Sequence, residues 1–314
     1  QPFTNYQVDW PFLFLRNSDS SQVILAFNFY NRIKINSITP AAAFKFGDFS
    51  LGISANIYQV KQEVTFPQAN ERWPNNVGLA AYQFEYMLDA WTFGGTVGFM
   101  YDVNSDLRIG AKIKSGFKAD LKGDAKSTMF AELDSSSSLV NVNSSFEIPW
   151  SFGGGIVYSL SENLKLNIDA EYSLWGSNKK NLSYNFNNSV WQSGLTETDS
   201  VTGINASSFS LNYNNTIDAG FGLEYSSPEI VYRFGYRFNQ SPNSNSTYSY
   251  LFPSVDQHIF SLGIGYKDER LTIDAAISYA WGVSKDVDSS ANQNLFGSYS
   301  SSGYIPTITL KYGL

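Results

Sequence analysis

Arg108, Lys112, Lys114 and Lys118 share one parity in DLRIGAKIKSGFKADLKGD, residues 106–124. Arg233 and Arg237 repeat the pattern in EIVYRFGYRFN, and Lys311 does so in TITLKYGL. Such cations bind carboxylates through charge-assisted hydrogen bonds, and a guanidinium offers a two-donor fork. Two readings follow. In one, Arg108, Lys112, Lys114, Arg233 and Arg237 are candidates to receive the carboxylate of a bound molecule. In the other, the cations pair with acids of matching parity, Asp102, Glu147, Asp169, Glu171, Asp218, Glu224 and Asp274, and fill a polar interior. Arg233 and Arg237 stand one strand from Asp218 and Glu224, which favours pairing. Lys112 and Lys114 have fewer evident acidic neighbours and are the better substrate candidates.

Other chemistry is sparse. The chain has no Cys, which excludes disulfides and thiolate metal sites. Its one histidine, His258, excludes a multi-histidine metal centre. A lipid hydrolase would need a serine activated by that histidine. Ser261 has the opposite parity to His258, so a histidine at a strand edge is the plainer reading. No metal or cofactor is expected. The net charge of −7, with no basic tail, gives no reason to expect a nucleic-acid partner.

These cations need elements that carry an oily and a charged face together. Leu107, Ile109, Ala111, Ile113 and Phe117 alternate with the basic positions, which is the period of a strand. The same alternation runs through NLKLNIDAEYSLW, TIDAGFGLEYS and LTIDAAISYAW. Strands are read near 5–16, 22–34, 37–46, 49–65, 82–103, 106–124, 145–160, 162–177, 212–226, 228–240, 256–267, 269–283 and 303–314, about thirteen in all. Many exceed the usual ~5–6 residues. No run of ~18 apolar residues offers a transmembrane helix. Charged residues make up 16%, against about 25% in soluble domains, and aromatics also make up 16%.

The connections separate a membrane barrel from a soluble sandwich. Tight turns at 17–21, 46–48, 102–106, 159–163, 225–229 and 266–270 alternate with Ser/Asn-rich loops near 66–80, 125–145, 177–213, 241–255 and 284–302. Short periplasmic turns and long extracellular loops mark an outer-membrane barrel. Aromatics gather at strand ends, as interfacial girdles do. The expectation is an all-β chain: one antiparallel transmembrane β-barrel domain over 1–314, of about 13–14 strands, in a bacterial outer membrane. Its oily face meets lipid and its charged face lines the lumen. An odd count places Gln1 outside the cell, which suggests that one outward strand and whatever precedes it lie upstream of this chain.

From SITPAAAFKFGDFSLGISANIYQVKQEV onward the sequence resembles a known family. WTFGGTVGFMYDVNSDLRIGAKIKSGFKADLKG is similar to its central strand pair. EIPWSFGGGIVYSLSENLKLNIDAEYSLW resembles its Pro-Trp strand and the Trp-ended strand that follows. YRFGYRFNQSPNSNSTYSYLFPSVDQHIFSLGIGYKDERLTIDAAISY resembles its most recognisable segment. These are the FadL/TodX-type channels for long-chain fatty acids and aromatic hydrocarbons. The resemblance implies a fourteen-stranded barrel plugged by an N-terminal hatch, and a kinked strand with a lateral opening near Asn28 and Asn31. No Asn-Pro-Ala hatch motif occurs here, and QPFTNYQVDWPFLFL looks like the family's second strand, so hatch and first strand are expected to be absent from this chain.

The function implied is passive uptake of hydrophobic small molecules, long-chain fatty acids or similar hydrocarbons. Its partners would be outer-membrane lipid, the substrate, and an upstream segment or second polypeptide completing or plugging the barrel. The alternatives are a FadL-like barrel serving a secretion or envelope complex, and a general porin.

Overall fold

The computed structural model describes residues 2–10, 13–16, 22–25, 29–70, 80–127, 138–178, 180–194, 207–249, 251–268, 270–290 and 296–312. One antiparallel sheet dominates, with neighbours in the order of the chain. Its wall strands are 2–10, 29–46, 49–70, 80–102, 107–127, 139–159, 164–173, 216–226, 230–239, 257–267, 271–282 and 302–312. Twelve wall strands are therefore described, where the sequence suggested about thirteen. The difference lies at 22–34 and 37–46, read as two strands. Phe29–Ile38 and Ala41–Phe46 both pair with Phe49–Asn70 in one unbroken register. They are one strand, interrupted where Pro40 has no N–H to give the ladder. With twelve antiparallel positions the first and last described wall strands run in opposite directions, so the odd-count argument that placed the first residue outside does not hold. The first and last wall strands, Pro2–Trp10 and Ser302–Tyr312, are not paired with each other among the described residues.

Toward the turn side, the outward face is apolar and bare. Phe99, Val97 and Phe93 project outward beside Ile53 and Ile109, and Ile168, Phe221, Phe234, Leu262 and Ile308 continue the band. A continuous exposed band of this kind suits lipid, where neighbouring wall strands must pair their backbone groups with each other, as those of the inner wall do here. This is a transmembrane β-barrel wall of outer-membrane type.

Toward the loop side the two faces exchange character. On 49–70 the outward residues run Leu51, Ile53, Ile57 and then Gln59, Lys61, Glu63. The inward residues run Ser50, Gly52, Ser54, Asn56 and then Tyr58, Val60, Gln62, Val64. Above this level the interior is an apolar core. Phe29, Ile33, Ile35, Tyr58, Val60, Phe84, Tyr86, Leu121 and Val142 contribute from the wall, while Leu182, Tyr184, Trp191, Leu211 and Leu251 enter from the loops. Trp191, fully buried, meets Phe84 edge-on at 5.8 Å and Phe186 at 5.3 Å. The described parts of the 177–213 loop thus send side chains inward. It includes a short helix, Ser189–Gly194, that the strand period gave no sign of.

The 107–127 strand handles this exchange differently. Leu107–Lys114 and Phe117–Ser127 both pair with Ala80–Asp102, but the register slips by one residue between them. The break at Ser115–Gly116 reverses the alternation. Lys114 points inward and Phe117 also points inward, stacked on Tyr58 at 4.3 Å between ring centroids. The partner strand breaks at the same level, at Pro149–Trp150. A Cβ on Gly116 would lie 2.7 Å from the Ile148 carbonyl oxygen, so only glycine lets the two breaks nest. The stretch 106–124 is therefore not one oily and one basic face. Lys118 and Glu147, expected in the lumen, stand opposite each other on the outward face.

Candidate functional site

Below the core the lumen is lined by small residues and long charged ones. A cavity of 630 Å³ is bounded by Ala43, Gly52, Gly98, Gly110, Gly153 and Gly155, with Arg108, Lys112, Asp169, Glu171 and Arg237 reaching across it. The glycines are what let those side chains lie flat against the wall. Lys112, Gly153 and Glu171 stand in register on three adjacent strands. A Cβ on Gly153 would lie 2.7 Å from Lys112 Cε. With hydrogen there instead, the lysine stem crosses the middle strand and Nζ meets Glu171 Oε2 at 2.6 Å. Gly220 plays a similar part beneath Arg237: a Cβ there would lie 3.4 Å from the arginine Cβ and 2.8 Å from the Tyr236 carbonyl oxygen.

The five candidate cations all face inward, and Arg108, Lys112, Arg233 and Arg237 form ion pairs with acids. Arg108 pairs with Asp102 at the turn-side rim, where Lys45 Nζ lies 3.6 Å from the same carboxylate. Arg233 bridges Glu224 at 2.8 Å and Asp274 at 2.5 Å. Arg237 reaches Asp169 at 2.9 Å and Asn239 at 3.0 Å. The expected partner Asp218 instead accepts the Gln240 backbone N–H at 3.1 Å. Lys112, expected to have fewer acidic neighbours, holds Glu171. Alternation gives parity along one strand, but the partner here sits two strands away, and only the register across Gly153 reveals it.

Lys114 occupies a different place. It lies at the reversal level, half-buried, on the wall of a second cavity of 330 Å³. That chamber is bounded by Ile33, Ile35, Phe146, Ile148, Trp175 and Phe252, with Ser151, Ser173 and Glu171 at its polar end. Glu171 lines both cavities. An apolar chamber with an ammonium at its lower end thus stands directly above a charged, glycine-lined lumen. Such an arrangement suits a molecule with a long apolar body and one polar end.

Asn31, expected at a lateral opening, faces inward and is fully buried. Its Nδ2 donates to the Leu251 carbonyl oxygen at 2.6 Å, and its Oδ1 accepts from Gln62 Nε2 at 3.4 Å. Both flanking strands pair with it in register, Val8 on one side and Val64 on the other, so the wall is continuous there. Asn28 lies outside the described residues. The loop side is tied further by Asn243, whose backbone N–H donates to Ser241 Oγ at 3.2 Å and whose carbonyl receives Lys285 Nζ at 2.8 Å. Burial pushes the Tyr248 phenol up to about 12, with the Tyr299 ring tilted against it at 4.4 Å, and raises the Tyr184 phenol well above its ordinary value. His258 sits on the outward face, where its Nδ1 and the Tyr236 hydroxyl share a hydrogen bond at 2.8 Å. Phe238 and Trp281 flank its ring. Ser261 points inward and bonds Ser278 at 2.7 Å. The two therefore lie on opposite faces of the wall. Among the described residues, no group of acids and histidines is arranged to hold a metal.

Comparison with known proteins agrees with this geometry. The sequence model of the family described as outer membrane protein transport protein (OMPP1/FadL/TodX) matches residues 26–313. A FadL homologue from Pseudomonas aeruginosa superposes with a TM-score of 0.73 at 19% identity, covering 90% of this chain and 68% of that one. The Pseudomonas putida toluene transporter TodX gives 0.66 at 14% identity, with 98% and 76% covered. The monoaromatic hydrocarbon channel CymD gives 0.63 at 16%, with 98% and 87% covered. A search of curated proteins finds no match.

Proposed function

Since this chain belongs to the FadL/TodX family of outer-membrane transport proteins, we propose that it passively admits hydrophobic molecules with one polar end, long-chain fatty acids or similar hydrocarbons. The route runs from the loop-side chamber into the lumen. The observation that carries this reading is Glu171, which lines both cavities and is ion-paired to Lys112 below. An entering tail rests among Ile33, Ile35, Phe146 and Phe252 while its carboxylate meets Lys114. Passage into the lumen then requires the carboxylate to displace Glu171 from Lys112. This exchange of one carboxylate for another conserves the charge-assisted bond on Lys112, and the displaced Glu171 is left facing the Lys114 ammonium that the ligand has vacated on the same chamber wall. A neutral hydrocarbon would pass the same chamber without engaging either lysine. The packed loop-side interior also argues against a general water-filled pore.

The test is equilibrium binding of a radiolabelled long-chain acid and of a neutral monoaromatic to the purified protein. Wild type is to be compared with Lys112→Met/Lys114→Met. The acid should bind wild type and lose about tenfold or more in the variant, since hydrogen bonds to charged groups contribute ~1.5–3 kcal/mol. The neutral ligand should be indifferent to the change. Wild type binding neither ligand, with a protein partner held stably on the loops, would overturn the reading.

A further inference from the structure

We propose that the outward face above the lipid band holds the phosphorylated saccharide headgroup of an outer-leaflet glycolipid. Lys34, Lys61, Asp89, Lys122 and Asn143, on five adjacent wall strands, form one horizontal row that continues into Asn185 on the short loop strand Asn185–Phe186. Each is directly opposite the next in register. All stand outside the wall at the level where the inward face is the apolar core. Lys34 and Lys61 are like charges directly opposed, which destabilises a sheet unless an anion lies between them. Three cations share the row with one carboxylate, and among the described residues none of the four forms an ion pair. Elsewhere on the same face cations do pair: Arg32 with Glu63 at 3.9 Å and Lys118 with Asp120 at 2.5 Å. Among the described residues of this face, this row is left with unbalanced positive charge.

Height and chemistry select the occupant. The highest outward row that is apolar on all three strands, Ile38, Ile57 and Phe93, lies four residues below, with Trp91 standing alone between the two rows. Four residues span ~13 Å along a strand, or ~10 Å of height at a barrel tilt near 40°. That exceeds the ~5–8 Å depth of a phospholipid headgroup layer and suits a larger, phosphorylated sugar. At its far end the row opens into a cavity of 630 Å³ lined by Lys122, Asn143 and Asn185, where the one lining carboxylate, Asp124, accepts a hydrogen bond from Asn141 Nδ2 at 3.1 Å. Side-chain amides offer the paired donors and acceptors that sugar hydroxyls need. The lipid band directly beneath receives the acyl chains of the same molecule.

The experiment measures binding of a bisphosphorylated acylated disaccharide to the full chain in detergent, by native mass spectrometry. Each row cation removed should weaken binding about fivefold, so Lys34→Gln/Lys61→Gln/Lys122→Gln should lose roughly 100-fold. Lys267→Gln/Arg270→Gln, at the turn side, should bind as wild type. Asn143→Ala/Asn185→Ala should weaken the glycolipid but leave residual binding of an anionic phospholipid unchanged. Millimolar inorganic phosphate should not displace the glycolipid. Equal binding of the phosphate-free glycolipid, of an anionic phospholipid, or of the triple variant would each overturn the proposal. So would displacement by free phosphate, which would mark a simple anion site.

Discussion

Lys112 Nζ and Glu171 Oε2 lie 2.6 Å apart although their strands are not neighbours. Gly153, on the strand between, makes that possible, because the lysine stem occupies the space a side chain would fill. The pair separates the apolar chamber from the lumen. Its formation depends on one residue having no Cβ.

Replacing Gly153 by leucine should therefore close the passage without unfolding the wall. The side chain points into the lumen, where volume is spare, so the cost falls on the lysine and on the ligand. Uptake of a long-chain acid should drop to near background, while the folded, heat-modifiable band on a gel persists. Unchanged uptake would place the route elsewhere.

The two faces of one strand should tolerate charge differently. Phe234 faces outward in the lipid band, and Arg233 faces inward, bonded to Glu224 and Asp274. Phe234→Arg should cost ~2–4 kcal/mol of stability in a bilayer, as cations near the midplane do. Arg233→Ala should cost less, because a hydrated lumen solvates the two carboxylates left behind. Reversible unfolding from lipid vesicles reads both, and equal costs would contradict the assigned faces.

Because the chain has no native cysteine, the reversal at Ser115–Gly116 can be read residue by residue. A membrane-impermeant thiol reagent added to intact cells should modify Lys122→Cys and Asp124→Cys, but not Leu121→Cys or Ala125→Cys. An unbroken strand would give the opposite set.

Asn31 should matter as a tether. Asn31→Leu leaves the buried Leu251 carbonyl without its donor, at a cost of ~1–3 kcal/mol. Cleavage within 241–255 by an added protease should quicken in the variant. Resistance equal to wild type would show that other contacts hold the loop.

The barrel class was legible because alternation, tight turns and long loops repeat along the chain. The reversal was legible on one strand and hidden on another, for the same physical reason. On 49–70 the alternation continues while the surroundings invert, so the apolar parity moves from Leu51, Ile53 and Ile57 to Tyr58, Val60 and Val64, and the sequence records it. On 107–127 the break flips the side chains at the level where the surroundings invert. The two inversions cancel, and Ile113 and Phe117 keep the same parity while facing opposite sides. Lys118 was misplaced for that reason. The division at 22–34 and 37–46 failed otherwise: Pro40 interrupts the ladder without turning the chain, and only the shared partner strand shows the continuity. Of the candidate cations, inward facing followed from alternation, but the Lys112–Glu171 pair needed the register of three strands.

The central claim is that one continuous interior route joins the apolar chamber to the glycine-lined lumen across the Lys112–Glu171 pair. A structure of the protein with a bound long-chain acid tests it most directly. The acyl chain should lie among Ile33, Ile35, Phe146 and Phe252, with its carboxylate within hydrogen-bond distance of Lys114 or Lys112 and Glu171 turned away. An acid bound only on the outward face, with the Lys112–Glu171 pair intact and the chamber unfilled, would contradict it.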